Sequence, residues 1–254
     1  MPTTVTLPVF LSFADTTYWE EKARWVRRET VHIHGMMSGI RLASALSCVE
    51  IFMMLYYGGN LRYHPDDPLW EGRDRCLLSK GHGVGSLYPI LMDVGFFRKD
   101  DVCWRKNIPD PSIPGFETVN GALGHGLGVA CGMAKALHLH GRSERVVVVA
   151  SDGELDEGAV WEAVMFASQH HLGNLTLIVD ANHRTLLGDV TESLDLYPLA
   201  PRFRAFGWST ESVNGHQLDA LQTSFLRDWN RDQPTVILAM TIKGKGVSFL
   251  ENDP

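Results

Sequence analysis

The chain has 254 residues, of which 44% are hydrophobic and 21% are charged, and it carries a formal net charge of −7 at pH 7. These values are ordinary for a globular protein that can bury one sizeable core. The negative charge argues against nucleic acid as the main partner, because a phosphate backbone attracts a basic surface. No apolar run approaches the roughly 20 residues that a membrane span needs, so no membrane partner is expected.

The cysteines and the N-terminal segment both indicate a cytoplasmic protein. The cysteines lie far apart without a CxxC pair, which fits neither a disulfide framework nor a zinc site; they are Cys48, Cys76, Cys103 and Cys131. The opening MPTTVTLPVFLSFAD has an apolar stretch but no basic residue before it, unlike a secretory signal. We therefore expect reduced thiols, with residues 1–17 as an N-terminal arm.

The first part of the chain predicts two helices and a loop. Residues 18–32 mix charged and apolar positions at helical spacing, with one side made of Trp19, Ala23, Val26 and Thr30. A second helix is predicted over residues 42–57, because Gly58 and Gly59 follow as a stop signal. Residues 60–75 are rich in Pro, Asp and Gly and predict a loop.

Strands and helices alternate in the second half. The run VVVVA (146–150) is typical of a strand buried on both faces, and a helix over 157–171 and a strand LTLIVDA (175–181) follow it. Such a βαβ unit makes its two strands parallel. Further strands are predicted at 209–213 and 234–242, with a helix at 217–229. The pattern predicts a single α/β domain over 1–254, with a doubly wound, mostly parallel sheet and helices on both faces.

Polar residues end the two strands of this βαβ unit. Asp152 follows the first strand and Asn182 follows the second. Ligands of such sheets bind beyond the carboxyl ends of the strands, where neighbouring strand ends are close together. Carboxylate, amide and carbonyl oxygens suit Mg²⁺ or Ca²⁺, and Gly153 with the amides near Glu154 would face phosphate oxygens. The alternative is that these are ordinary turn residues, since Asp, Gly and Asn are common in turns.

The stretch SDGELDEGAVWEAVMFASQHHLGNLTLIVDANHRTLLGD closely resembles the thiamine diphosphate motif of transketolases. The resemblance implies thiamine diphosphate as cofactor and a Mg²⁺ or Ca²⁺ ion bound by Asp152, Asn182 and the carbonyl of Arg184. It also implies that Glu157 is the glutamate of the family's dimer interface, which couples two active sites. Gly153, Glu154 and Asn182 are expected to contact the cofactor.

Further segments extend the resemblance. RDRCLLSKGHGVGSLYPIL (73–91) resembles a family segment whose histidine lies over the cofactor, which implies His82. GALGHGLGVACGMA (121–134) resembles a glycine-rich segment that lines the cofactor, which implies Gly121 and Leu123, with His125 close by. SVNGHQLDAL (212–221) and TIKGKGVSFLEN (241–252) also match family segments. In the latter, Lys243 and Lys245 could touch phosphate, or the segment could be a solvated turn.

A partner is implied by a missing residue. In this superfamily a glutamate of a separate pyrimidine-binding domain activates the cofactor, and the present sequence ends at Pro254 without such a domain. The resemblance therefore implies the N-terminal subunit of a split transketolase, which works with a C-terminal pyrimidine-domain subunit in an α₂β₂ complex.

Two departures from the family concern the substrate. SGIRLASALSCVEI lacks the histidine of the family's SGHPG segment and has Arg41 near that place, and a second family histidine has no counterpart in the Pro-rich loop 109–115. Both histidines hold sugar hydroxyls in the family. We expect transfer of a two-carbon unit from a ketose donor to an aldose phosphate or to the thiol of an acyl carrier protein.

Two other functions share this fold. One is the α subunit of a 2-oxo-acid dehydrogenase, although no phosphorylation-loop segment is visible in the sequence. The other is a non-catalytic partner subunit that has lost turnover. The retained Asp152, Asn182 and His82 argue against the latter, and the lost histidines argue mildly for it.

Overall fold

The computed structural model describes residues 16–37, 39–101, 107–185 and 188–251. Helix α1 (Thr16–Met36) is longer than predicted, and the last two residues of the predicted arm 1–17 belong to it. The rest of the arm and Cys103 lie outside the described residues. The predicted inner side of α1 is confirmed, since all four of its residues are buried: Trp19, Ala23, Val26 and Thr30.

The helix predicted over 42–57 is divided into α2 (Leu42–Leu46) and α3 (Val49–Tyr56). The division falls at Ser47 and Cys48. The Ser47 hydroxyl bonds to the Ser44 carbonyl at 3.1 Å and to Asp180 at 2.6 Å, and the Cys48 thiol also donates to Asp180. Polar side chains that bond nearby carbonyls compete with regular helix geometry, and the break turns both groups towards Asp180.

The remaining elements follow the predicted alternation. They are β1 (Arg75–Leu78), α4 (Val84–Asp93), α5 (Gly126–Leu139), β2 (Val146–Ser151), α6 (Gly158–Gln169), β3 (Leu175–Ala181), α7 (Val190–Ser193), α8 (Leu199–Ala205), β4 (Ser209–Asn214), α9 (Leu218–Leu226) and β5 (Thr235–Met240). No helix in the described ranges is long and apolar enough to cross a bilayer.

The described strands form one parallel sheet in the order β1-β2-β3-β5-β4. Successive residues of β2 belong to different cores. Val147 and Val149 pack with α1, α3 and α4 on one face, whereas Val146 and Val148 pack with α5 and α6 on the other. A strand covered on both faces is apolar at successive positions. The predicted doubly wound α/β sheet is thus confirmed.

The register brings the predicted site residues to one edge of the sheet. Ser151 of β2 pairs with Asp180 of β3, and Ala181 of β3 pairs with Met240 of β5. The segments that leave these strands, with the one that leaves β1, therefore emerge side by side at the carboxyl edge. This is the edge at which open parallel sheets bind ligands.

Candidate functional site

Asp152 opens a 3-10 turn (Asp152–Asp156) directly after β2, where the sequence predicted a simple turn. Its carboxylate is buried and accepts three hydrogen bonds. Oδ1 accepts from the Gly153 amide at 3.0 Å, and Oδ2 accepts from the His183 amide at 2.6 Å and from the Tyr197 hydroxyl at 3.0 Å. The bond to His183 ties the end of β2 to the segment that leaves β3.

Burial is the main reason that the pKa of Asp152 is raised to about 6, and the negative charge of Asp180 is the second. A desolvated carboxylate beside another carboxylate favours its neutral form. Hydrogen bonds from His183 and Tyr197 and the charge of Lys80 act in the opposite direction. A cation bound at Asp152 would stabilise its ionised form.

Asn182 is buried, and its Oδ1 accepts from the Arg184 amide at 3.0 Å. Arg184 forms an isolated β-bridge with Asp189, so the chain turns sharply after β3. The turns after β2 and β3 touch, since a Cβ atom on Gly153 would lie 3.0 Å from Cγ2 of Thr185.

The predicted donor set fits a hard cation. Asp152 offers carboxylate oxygens, Asn182 an amide oxygen and Arg184 a carbonyl, all in neighbouring segments, and these are the ligand types that Mg²⁺ and Ca²⁺ take. Within the part of the chain that the structure describes, no three His, Cys, Asp or Glu side chains group to hold a metal ion. A transition-metal site therefore has no support there.

His82 lies in a 3-10 turn (Gly81–Gly83) between β1 and α4 and is half-buried. Burial lowers its pKa most, and the positive charges of Arg41, Lys80 and Lys243 lower it further. The imidazole is therefore uncharged at neutral pH. Arg41 and Lys243 add positive charge near His82, which suits an anionic ligand, whereas Lys80 is paired with Asp180.

Lys243 belongs to the segment predicted either to touch phosphate or to form a solvated turn. Its side chain is buried and its amino group donates to the Thr185 carbonyl at 2.9 Å. The solvated-turn interpretation is therefore wrong for Lys243. Lys245 is more exposed and pairs with Glu251 at 3.6 Å.

The glycine-rich segment 121–126 packs against the His82 segment. A Cβ atom on Gly81 would lie 2.6 Å from the Asn120 carbonyl oxygen, and one on Gly126 would overlap the Ser79 hydroxyl. Gly121 and Leu123 are exposed in this single chain, as is Glu157 at the start of α6. The structure brings His82 and this segment together.

Arg41 and the Pro-rich loop 109–115, where the sequence departs from the family pattern, also lie beside the His82 segment. Arg41 is exposed directly before α2, and its charge acts on the His82 imidazole. Pro109, which begins the Pro-rich loop, is buried. A Cβ atom added to Gly81 would lie 3.6 Å from Cδ of Pro109. Arg41 and the Pro-rich loop therefore border the same part of the molecule.

Residues 35–253 match the family model of the transketolase thiamine diphosphate-binding domain. The chain belongs to this transketolase family. It is 34% identical to one subunit of an apulose-4-phosphate transketolase from Phocaeicola vulgatus, in a match that covers 89% of this chain and 83% of that protein. It is 35% identical to the 6-deoxy-6-sulfo-D-fructose transketolase subunit SqwG from Clostridium sp. (strain MSTE9), over 91% of this chain and 87% of that protein.

The fold also matches that of solved transketolases. The transketolase from Campylobacter jejuni superposes with a TM-score of 0.83 at 26% identity, and the match covers 94% of this chain but 40% of that enzyme. The prediction of an N-terminal subunit of a split transketolase is thus confirmed at the level of the family, since two relatives of nearly the same length are named as subunits.

Sequence reasoning missed two buried charged groups at this transketolase-type site, Lys80 and Asp180, and it named Glu154 without its side-chain bonds. Lys80 and Asp180 form a buried ion pair, and Glu154 bonds the Ser79 hydroxyl and the Gly124 amide through its side chain. Lys80 stands in the SKGH segment and Asp180 in VDAN, both of which belong to the segments that resemble the family. A charged residue inside an otherwise apolar strand end was the available signal for Asp180.

Proposed function

We propose that this chain is one component of a two-component, thiamine diphosphate- and Mg²⁺-dependent transketolase-like enzyme that transfers a two-carbon ketol unit. The observation that carries the proposal is the juxtaposition, at one sheet edge, of oxygen donors and cationic groups. Asp152 accepts a hydrogen bond from the turn after β3, Asn182 lies in that turn, and Lys243 donates to it at the Thr185 carbonyl. A metal ion and a diphosphate need such a combination.

In this proposal Asp152, Asn182 and the carbonyl of Arg184 hold the metal ion. The backbone at Gly153 and Glu154 and the exposed Gly121 and Leu123 line the cofactor. Bound thiamine diphosphate supplies the electron sink for cleavage of a carbon–carbon bond.

His82 contributes an uncharged imidazole to this site. Because burial and neighbouring cations hold its pKa low, one ring nitrogen can accept a proton or a hydrogen bond at neutral pH. A protonated imidazole would lack that acceptor. We assign His82 the role of binding substrate oxygens and moving a proton at its ring nitrogen.

The exposed face of α5 and α6 supports a partner subunit. Exposed apolar side chains lie on both helices, with Val129 43% exposed on α5 and Met165 48% and Phe166 42% exposed on α6. A Cβ atom on Gly128 or Gly132 of α5 would have no neighbour within 4 Å. Large exposed apolar side chains are typical of association surfaces. We assign this face to a C-terminal pyrimidine-domain subunit in an α₂β₂ complex, and the names of the two relatives, each given as a subunit, support a partner.

The donor is a ketose, and we propose that the acceptor is an aldose phosphate or another anionic sugar. The exposed guanidinium of Arg41 beside the His82 segment favours a negatively charged substrate. The relatives carry apulose 4-phosphate and a sulfo-sugar in their names, which favours an anionic sugar among the substrates. The family match also favours a transketolase over the α subunit of a 2-oxo-acid dehydrogenase.

A cytoplasmic location completes the proposal. Cys48, Cys76 and Cys131 are free thiols. Burial raises the pKa of Cys76 and of Cys131 to about 12, so both stay protonated and unreactive.

Reconstitution tests the proposal. The chain would be mixed with a pyrimidine-domain transketolase subunit, thiamine diphosphate and Mg²⁺, and ketose cleavage would be followed with several acceptors, the carrier-protein thiol included. We expect turnover by the mixture and none by either polypeptide alone. Turnover by the pure 254-residue chain would contradict the two-component proposal, and loss of turnover on removing the cofactor is the matched control.

A further inference from the structure

We infer that Glu154 is a positioning residue whose buried carboxylate holds the His82 segment and the glycine-rich segment 121–126 in place for the cofactor. The inference rests on the proposed function, because it takes these segments as the walls of a diphosphate site. It concerns the side chain of Glu154, whereas the sequence pointed only to backbone amides near this residue.

The geometry is a three-way junction. Glu154 stands in the 3-10 turn after β2, and its Oε1 accepts from the Ser79 hydroxyl at 2.5 Å and from the Gly124 amide at 2.9 Å. Ser79 lies three residues before His82, and Gly124 directly follows Leu123. One carboxylate oxygen therefore joins the turns that carry the predicted metal ligand, the predicted histidine and the predicted cofactor lining.

The junction is closely packed, so the bonds of Glu154 determine where the Ser79 and Gly124 segments lie. Glu154 is 1% exposed, and Gly126 leaves no room for a Cβ atom against Ser79. Gly124 has a φ of +83°, a conformation that glycine adopts readily and other residues rarely do. Its amide needs an acceptor in a buried setting, and Glu154 is that acceptor.

The other carboxylate oxygen strengthens the functional interpretation. Glu154 Oε2 is buried without a hydrogen-bond partner among the described residues. Burying a carboxylate with one oxygen unsatisfied costs stability, and a smaller apolar residue would avoid that cost. A residue that is expensive to bury and that joins three site segments is better explained by placement of those segments than by general stability.

The junction also reaches the proposed partner face. A Cβ atom on Gly124 would lie 2.7 Å from Cβ of Glu157, which is exposed at the start of α6. Displacement of Gly124 would therefore disturb the cofactor lining and the edge of the partner face together.

The test compares Glu154→Ala with Glu154→Gln in the complex reconstituted with the pyrimidine-domain subunit. Calorimetry would measure the Kd for thiamine diphosphate at saturating Mg²⁺. The amide oxygen of glutamine can still accept from Ser79 and Gly124, so we expect Glu154→Gln to stay within about threefold of the unmodified protein, and Glu154→Ala to bind at least about tenfold more weakly. Ser79→Ala, which removes one donor, should fall between them.

Hydrogen exchange of the chain without cofactor supplies a readout that does not depend on binding. In Glu154→Ala, we expect faster exchange at residues 121–126 and unchanged exchange in β2 and β3. Asp219→Ala, exposed on α9 and outside both the junction and the proposed partner face, is the control and should change neither measurement. If Glu154→Ala does not fold, Ser79→Ala provides the test of the inference, because it keeps the buried carboxylate and loses one contact of the junction.

The inference is overturned if folded Glu154→Ala binds thiamine diphosphate with unchanged affinity, or if exchange rises equally throughout the sheet. If Glu154→Ala does not fold, unchanged affinity and unchanged exchange in Ser79→Ala would overturn it. Absence of binding by the unmodified complex would instead contradict the proposed function, and the exchange measurement would still test the junction.

Discussion

Lys80 and Asp180 form an ion pair inside the protein, with their side chains only 6% and 0% exposed. The pair joins the His82 segment to the strand that leads to Asn182. Asp180 also accepts from the hydroxyls of Ser47 and Thr241 and from the Cys48 thiol. The charge of Lys80 and these hydrogen bonds keep the pKa of Asp180 low in spite of its burial, so it remains ionised.

Lys80→Met should destabilise the protein by about 3–5 kcal/mol, because it leaves the buried Asp180 charge without its counter-ion. Adding Asp180→Leu in the same chain should recover part of that loss. Urea unfolding monitored by circular dichroism would measure both. Lys22→Met is the matched control: its partner Asp93 is 31% exposed, and such pairs contribute about 1 kcal/mol or less. Equal losses for the two lysine variants would contradict the assignment.

Asp152→Asn should abolish Mg²⁺-dependent binding of thiamine diphosphate and leave the fold intact. An amide oxygen is a much weaker metal ligand than a carboxylate, and the residue follows the end of β2 rather than lying within it. Calorimetry with the reconstituted complex would measure the loss. Unchanged cofactor affinity in a folded variant would remove Asp152 from the metal site.

The same variant should be more stable than the unmodified chain when metal is absent. The folded-state pKa of Asp152 is about 6 against an ordinary 3.8, so ionisation weakens the fold as pH rises from about 4 to 6. Asparagine has no such ionisation. The stability difference should be absent below about pH 4 and reach about 1–3 kcal/mol above pH 6. Denaturant titrations with a metal chelator at several pH values would test whether Asp152→Asn is the more stable of the two above about pH 6.

Arg41→Leu should raise the pKa of His82, because it removes one of the positive charges that lower it. A proton NMR titration of the His82 ring would show the shift. Arg204→Leu is the control, since Arg204 is exposed on α8 and is not among the groups that shift His82. A shift of the same size in both variants would show that Arg41 acts only through net charge.

The acceptor ribose 5-phosphate should be used poorly by the reconstituted enzyme. Arginine stays charged and cannot exchange a proton as an imidazole does, and the Pro-rich loop 109–115 offers no histidine. We expect kcat/KM at least about tenfold below that for the best acceptor, the effect of losing one well-placed hydrogen bond. Steady-state kinetics with a panel of acceptors would decide. Efficient use of ribose 5-phosphate would show that the missing histidines do not mark specificity.

Val129→Lys should block assembly with the pyrimidine-domain subunit without unfolding the chain. Val129 is 43% exposed on the face assigned to that partner, and a lysine there would have to be desolvated on association. Size-exclusion chromatography with light scattering would measure complex formation. Leu226→Lys is the control because Leu226 is 65% exposed on α9, away from this face. Normal assembly of Val129→Lys would exclude this face as the interface.

Local patterns determined the architecture of this protein. The run 146–150, the helix after it and the strand 175–181 are each recognisable alone, because a strand covered on both faces must be apolar throughout. Right-handed crossover then makes such strands parallel, so their carboxyl ends and the residues Asp152 and Asn182 must share an edge. Much of the site could therefore be predicted from chain order.

Only the tertiary structure decided which charges neutralise one another. Lys80 and Asp180 are 100 residues apart in the chain, and the break of the predicted helix 42–57 depends on the same carboxylate through Ser47 and Cys48. Likewise, Glu154 meets Ser79 across 75 residues. Sequence periodicity reports which face of an element is buried, whereas a buried charge is tolerable only beside a partner that folding delivers from a distant segment.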